Sequence, residues 1–417
     1  MKKNDYLITL IGSNPMPNLI SAYTRIKENS TIFMIYTKET KKIAEQLKFL
    51  IEERSKESNL NVSVKLDYGQ IYSEYDIQEV NKELTVILNN IKEKYLLDSE
   101  KDKSIEFNFT AGTKIMSSVG YTLFKKIFKD ENSFLSYLDG EESKVRVYDV
   151  KNEKDYSINY CDLDETIKLT IDDIIQSHFY TSGGKNEFKH EKYEDANISE
   201  VNEYIYKSFI ENYDNRDEFI KLMEQMNKIK DKKYIKNNID VINKQLESSI
   251  IKINNFNNFS QIIDKYKSEF PELAEKKIYK LICEDLRGKW LEKVLFNRLQ
   301  KYKNDKYIDD VVLSEARDNG FEIDLLILKN KQLYCISVTT DDSYIDVDMK
   351  LHEIKYRAKS IGGEEVKIGL ISFYESNDKL RSRLKNVWDK DSLKSKYLVI
   401  ALDNFLDLGK KLFEFLS

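Results

Sequence analysis

Two stretches hold residues whose types and spacing suit one kind of chemistry. The first is Thr110-Ala111-Gly112-Thr113-Lys114, which follows the apolar alternation Ile105, Phe107, Phe109 and leads into a helical pattern carrying Met116. A strand, a small-residue turn and a helix start aim backbone N–H groups, hydroxyls and one lysine at a single spot, which suits a phosphate or another anion. The same residues also suit an ordinary βα turn with a surface lysine. The second stretch is Gly12-Ser13-Asn14-Pro15-Met16-Pro17-Asn18, which ends the apolar run Tyr6 to Ile11 and precedes a helical pattern from Leu19 to Ile26. It holds two of the chain's three prolines, so it is a stiff, pre-shaped loop. Neither GxGxxG nor GxxxxGK[ST] occurs, so a dinucleotide fingerprint and a Walker loop are both absent.

The elements that must position these loops alternate. Thr31 to Tyr36 reads as a second strand, with Thr37 opening a helix that runs to Leu50. Asn61 to Leu66 is a third strand, Ile77 to Tyr95 a long helix, and the Thr110 loop connects the fourth strand to a helix ending at Phe128. Ser133 to Leu138 and Val145 to Val150 complete the set. This order predicts a parallel, doubly wound α/β sheet. In such sheets ligands bind beyond the carboxyl ends of the strands, where strand order reverses, and both loops open at that edge.

The loop GSNPMPNL, the Tyr36-Thr37 pair closing the second strand and FNFTAGTKIMS after the fourth resemble the CARF domain (CRISPR-associated Rossmann fold), in the branch fused to a restriction-endonuclease-like domain. That branch carries a TGGTK-type motif, in which Ala111 replaces the first glycine. The resemblance implies a homodimer that binds a cyclic oligoadenylate, by default cyclic tetra-adenylate, across its two-fold axis in type III CRISPR antiviral defence. Residue by residue it implies Gly12, Ser13, Asn14 and Asn18 on one wall, Thr37 at the side, and Thr110, Ala111, Gly112, Thr113 and Lys114 as the floor.

The CARF domain is expected over residues 1–150 and a mostly helical connector over 151–278, with a strand at Thr166 to Thr170, a short helix and a hinge at Thr181 to Lys185. Lysines of the connector, Lys228, Lys230, Lys232, Lys233 and Lys236, read as a solvated face or a nucleic-acid contact. Over 279–417, helix, hairpin, strand, helix and strand follow in the order of a PD-(D/E)xK nuclease core. GKWLE, FEIDLLIL and KLHEIKYRAKSIGGEEVKIGLIS resemble the nuclease half of the same family.

That half requires an acid at one strand start and, on the next strand, an acid and a lysine two residues apart. Alternation then puts the pair on one face, where the acids hold Mg²⁺ or Mn²⁺ and the lysine supports the attacking water. The resemblance gives Asp324 and Glu292 as catalytic and metal-ligating residues, with Glu322 a possible third ligand. The strand Leu333 to Thr339 instead puts Ser337 at the acid and Thr339 at the lysine. Losing one transition-state stabiliser costs about a hundred- to a thousand-fold in rate, and two groups are missing here. Rescue would have to come from Glu322, from Asp341 and Asp342, or from Lys350 or Lys355. Glu353-x-Lys355 spells ExK but sits in a helical pattern, where i and i+2 diverge. Three readings stay open: a ligand-activated, metal-dependent nuclease of single-stranded or nicked DNA or RNA; a non-catalytic sensor that sequesters the ring; and slow ring hydrolysis at the CARF loops.

With 417 residues, two or three domains are expected, and a net charge of −5 points to no partner by itself. The three cysteines form no CxxC pair and three histidines are too few for histidine metal sites or Ser-His triads, which fits a reduced cytoplasm. No stretch reads as a signal peptide or membrane span.

Overall fold

The computed structural model describes residues 3–67, 69–97, 103–178, 199–211, 217, 259–313, 323–340, 344–387 and 396–417. The chain forms two compact units. The first comprises Met1–Lys189 with Leu328–Leu333 and Ala358–Val366, and the second comprises His190–Ile327, Tyr334–Arg357 and Lys367–Ser417.

The first unit is built on an eight-stranded sheet. Its strands are β1 (Asn4–Leu10), β2 (Ile26–Thr37), β3 (Ser63–Lys65), β4 (Gln70–Ile71), β5 (Ser104–Asn108), β6 (Asn132–Asp139), β7 (Lys144–Asp149) and β8 (Lys154–Asn159). They lie in the order β3-β2-β1-β5-β6-β7-β8, with β4 paired to β2. From β3 to β6 the pairing is parallel, as expected; β6-β7 and β7-β8 are antiparallel, which corrects the expectation of a wholly parallel sheet. The physical reason lies in the short connections after β6, which leave no room for the crossover a parallel pair needs.

Helices α1 (Met16–Arg25), α2 (Lys41–Glu57) and α5 (Ile171–His178) pack on one another, and α3 (Ile77–Lys92) packs on α4 (Lys114–Ile127). The α3–α4 layer closes a core of Ile8, Leu10, Phe33, Ile35, Ile105 and Phe107 with Leu84, Leu88, Met116 and Phe124. A fully buried Phe107 stacks on Phe124, and Phe124 on Phe128. Gly120 of α4 permits this approach: a Cβ there would meet the Phe107 ring at 2.7 Å.

On the other face of β5, buried Glu106 is held by Arg25 of α1, whose Nε donates to Glu106 Oε1 at 2.9 Å and whose Nη2 donates to Oε2; Asn4 Nδ2 adds a third bond at 2.5 Å. Burial disfavours the Arg25 charge, yet the Glu106 carboxylate outweighs it and raises the guanidinium pKa. Thr166 to Thr170 is not a strand: Thr166 is tied to the end of α1, its N–H donating to Tyr23 O at 2.7 Å and its hydroxyl to Ile26 O at 2.7 Å.

In the second unit, α6 (Glu200–Glu211), α7 (Phe259–Glu269) and α8 (Glu275–Glu284) precede α9 (Trp290–Asn304). The sheet there runs β13-β12-β11-β10-β9, made of β9 (Asp310–Leu313), β10 (Leu325–Lys329), β11 (Gln332–Thr339), β12 (Lys367–Ser372) and β13 (Tyr397–Ile400). Helices α10 (Tyr344–Gly362), α11 (Asn377–Val387) and α12 (Leu408–Leu416) follow among the described residues. Fully buried Trp290 packs with Phe209, Phe373, Ile371 and Phe405 at the centre. Strands β10 and β11 meet through Asn330 and Lys331, both with positive φ (49° and 63°), the geometry of a two-residue hairpin turn. The Thr181 to Lys185 stretch, the connector lysines from Lys228 to Lys236, Glu322, Asp341 and Asp342 lie outside the described residues.

Candidate functional site

Strands β1 and β5 are neighbours, and the chain reaches β5 only after running outward through β2 and β3, so the strand order reverses between them. The two loops foreseen as converging leave the carboxyl ends of this pair. They touch: a Cβ on Gly12 would lie 3.1 Å from the Gly112 nitrogen and 3.4 Å from Ala111 Cβ. Gly112 has φ +84°, and a Cβ there would lie 3.0 Å from Leu10 Cβ. Both positions therefore suit glycine, one for room and one for backbone conformation as well.

The Gly12 loop is shorter than the sequence pattern implied, because α1 starts at Met16 and takes Pro17 and Asn18 into its first turn. Asn14 Oδ1 accepts from the Met16 N–H at 3.1 Å, which folds the loop back onto the helix. Asn18 is buried and donates to Thr9 Oγ1 at 2.7 Å and to Leu10 O at 2.8 Å. Its amide nitrogen thus braces the end of β1 from below the loop. Ser13 is exposed and Gly12 and Asn14 are half-buried.

The second loop is fixed by its threonines. Thr110 donates its N–H to Asn108 Oδ1 at 3.2 Å, and its hydroxyl oxygen accepts from the Leu138 N–H at 2.8 Å. Thr113 caps α4, accepting from the Met116 N–H at 3.2 Å and donating its hydroxyl to Glu74 O at 3.3 Å. Ser117 donates to Ala111 O at 3.1 Å. Lys114, the first residue of α4, is exposed and makes no ion pair among the described residues. The positive end of a helix, a free lysine and exposed Ser13 stand at one edge, an arrangement that favours an anion.

Thr37, expected at the side of the site, stands at this edge together with two residues that no sequence motif announced, Glu39 and Glu74. Thr37, at the end of β2, shares its hydroxyl with Thr40 at 3.3 Å, and its N–H donates to Thr40 Oγ1 at 2.9 Å. Glu39 and Glu74, which are far apart in sequence, hydrogen-bond to each other. Burial and the neighbouring Glu39 raise the Glu74 pKa; the Glu39 backbone N–H, Glu74 and Thr37 lower that of Glu39. Two carboxyl groups this close oppose carrying two charges at once, which works toward less negative charge beside the loops.

In the second unit, Asp324 stands just before β10 and is 3% exposed. Its Oδ2 accepts from Ser337 Oγ at 2.7 Å and from the Val338 N–H at 2.6 Å. Thr339, two residues on along β11, is also buried. Asp324 and Ser337 are therefore brought together, and a serine and a threonine stand where the expected motif has an acid and a lysine. Glu292 lies half-buried in the first turn of α9. Glu353 lies on α10, where it pairs with Lys350 at 3.5 Å and with Arg357. The ExK spelling at Glu353 is thus a helix-surface ion-pair set and not a strand motif.

Among the described residues, Asp324, Ser337 and Thr339 do not make a donor set that fits a divalent cation. Mg²⁺ and Mn²⁺ need several oxygen ligands, carboxylates above all. One Asp324 oxygen is already taken by two donors, and Ser337 and Thr339 bring no charge. Among the described residues no three His, Cys, Asp or Glu come together in a way that could hold a metal.

No curated protein matches the chain. Among solved structures, protein VC1899 from Vibrio cholerae is similar with a TM-score of 0.65 and 14% identity, covering 99% of this chain and 97% of that one. Can2 from Sulfobacillus thermosulfidooxidans, solved in complex with cyclic tetra-adenylate, is similar with a TM-score of 0.58 and 14% identity, covering 99% and 97%. These likenesses show the α/β fold of the whole chain. The part holding both touching loops is more specific: residues 6–166 match the family model described as the Card1 CARF domain.

Proposed function

We propose that this chain is a cyclic-oligoadenylate receptor of type III CRISPR defence, acting in the cytoplasm as a homodimer. The observation that carries this reading is the contact of Gly12 with Ala111 and Gly112 at the β1/β5 reversal, beside the exposed Lys114 at the start of α4. In a dimer, two such edges facing each other would present paired lysines and helix N-termini to a ring of phosphates. The match of residues 6–166 to a CARF family model supports the same ligand class. That Can2 was solved with cyclic tetra-adenylate makes this ring the first to test.

The non-catalytic reading of the second unit is favoured over the metal-dependent nuclease reading by one observation, the two donors, a serine hydroxyl and a backbone N–H, already held by Asp324 Oδ2. The test is competition binding with cyclic tri-, tetra- and hexa-adenylate and linear tetra-adenylate, together with the mass in solution by light scattering. Saturable binding of a cyclic species by a dimer supports the proposal. Failure of all cyclic species to bind refutes it. Cleavage of single-stranded DNA or RNA in Mn²⁺ and ligand, lost in Asp324→Asn, would restore the nuclease reading.

A further inference from the structure

We infer that Asp324 is not a cation site but the acceptor that fastens the start of β10 to β11, and that Asp324, Ser337 and Thr339 hold no divalent metal. This inference rests on the fold of the second unit and not on the identity of the ligand bound by the first.

The argument starts from what Asp324 touches. Its Oδ2 receives a hydroxyl proton from Ser337 at 2.7 Å and a backbone proton from Val338 at 2.6 Å, in a site only 3% exposed. Two donors on one oxygen, one of them a main-chain N–H that no side-chain rotation can withdraw, satisfy Oδ2 of a buried carboxylate without a metal. A ligand role would require that oxygen to exchange fixed donors for a cation while the neighbouring positions offer two neutral hydroxyls. Ser337 in place of an acid is what makes the arrangement self-consistent: a carboxylate at that position would put two like charges together and call for a cation between them, whereas a hydroxyl donates and closes the site.

The same residues are packed to stay so. Every residue of β11 is buried, Ser337 lies opposite Leu370 and Thr339 opposite Ser372 of β12, and Ile323 beside Asp324 is fully buried. The joint therefore sits at the end of the central strands, where hydrogen bonds across β10 and β11 hold the chain as it enters the sheet.

The test uses the full-length chain and Mn²⁺ alone as probe. Free Mn²⁺ is counted by electron paramagnetic resonance during the titration. The wild type is expected to show no saturable site, and Ser337→Ala is expected to lower the melting temperature without changing Mn²⁺ binding. Ser337→Glu with Thr339→Lys, which restores an acid and a lysine two residues apart, is expected to gain a site of one Mn²⁺ per chain that added Asp324→Asn removes. A stoichiometric wild-type site that is lost in folded Asp324→Asn would overturn the inference, and would point to Glu322, Asp341 or Asp342 as the completing ligands. Should the doubly substituted chain fail to fold, as judged by circular dichroism, the wild-type titration still decides.

Discussion

Replacing Arg25 with alanine should release β5 and with it the Thr110 to Lys114 loop. Arg25 and Glu106 are 2% and 0% exposed and bridge through two parallel hydrogen bonds, so removing the cation leaves a buried carboxylate that keeps, among the described residues, the bond from Asn4. Breaking one half of a buried pair costs about 3–5 kcal/mol, whereas replacing both halves with apolar groups is often neutral. Both tryptophans, Trp290 and Trp388, lie in the C-terminal half, so their fluorescence is blind to this change. Hydrogen exchange is the suitable assay, read on peptides spanning residues 104–127. For Arg25→Ala the slowest amides of β5 should exchange roughly two to four decades faster, each decade being about 1.4 kcal/mol. Arg25→Met combined with Glu106→Leu should recover most of the protection. If Arg25→Ala changes exchange in β5 by less than about tenfold, the ion pair does not anchor the strand and the reasoning fails.

Gly112→Ala forces a side chain onto a backbone at φ +84° and puts its Cβ 3.0 Å from Leu10 Cβ. A loss of about 1–3 kcal/mol in the first unit is expected, together with weaker ring binding; unchanged melting and binding would mean the loop relaxes freely. The His178 imidazole is pushed down to about 4 by burial, and its Nε2 has no partner among the described residues. Its folded pKa thus lies below the unfolded value near 6.5, so the unfolded state binds the proton first. Stability is full above about pH 6.5 and falls as pH drops toward about 4, by up to roughly 3 kcal/mol. Denaturation midpoints across that window should fall less in His178→Phe than in the wild type; parallel curves would reject the assignment.

Much of the first unit was legible because its signals are local. Apolar alternation in Ile105 to Phe109 and glycine-bearing turns after β1 and β5 mark strand, loop and helix without knowledge of any distant residue. The edge strands were harder. β4 has only two residues and β8, KDYSIN, is almost wholly exposed, so neither carries an apolar pattern. Thr166 to Thr170 has the residue types of a strand, yet its hydrogen bonds go to Tyr23 and Ile26 at the end of α1.

At the site, the loops were readable but their supports were not. Glu106 looks like a solvent-facing residue of an alternating strand until Arg25, 81 residues earlier, arrives to pair with it. Glu39 and Glu74 meet only when β2 and the segment after β4 are placed side by side. Asn18 has a structural role that its sequence did not announce: its amide nitrogen donates to Thr9 and Leu10 at the end of β1. In the second unit, the missing charges at Ser337 and Thr339 were plain in the sequence. That Ser337 would instead complete the hydrogen bonding of Asp324 could come only from the folded strands.

The most direct measurement of the central claim is a calorimetric titration of the full-length chain with cyclic tetra-adenylate, wild type against Lys114→Ala. The account predicts one ring bound per two chains, and an affinity lowered at least about a hundred-fold by the substitution, which removes two charge-assisted contacts per ring, one from each protomer, of about 1.5–3 kcal/mol each. Equal affinity for the two proteins, or no heat of binding for a folded wild type, would contradict it.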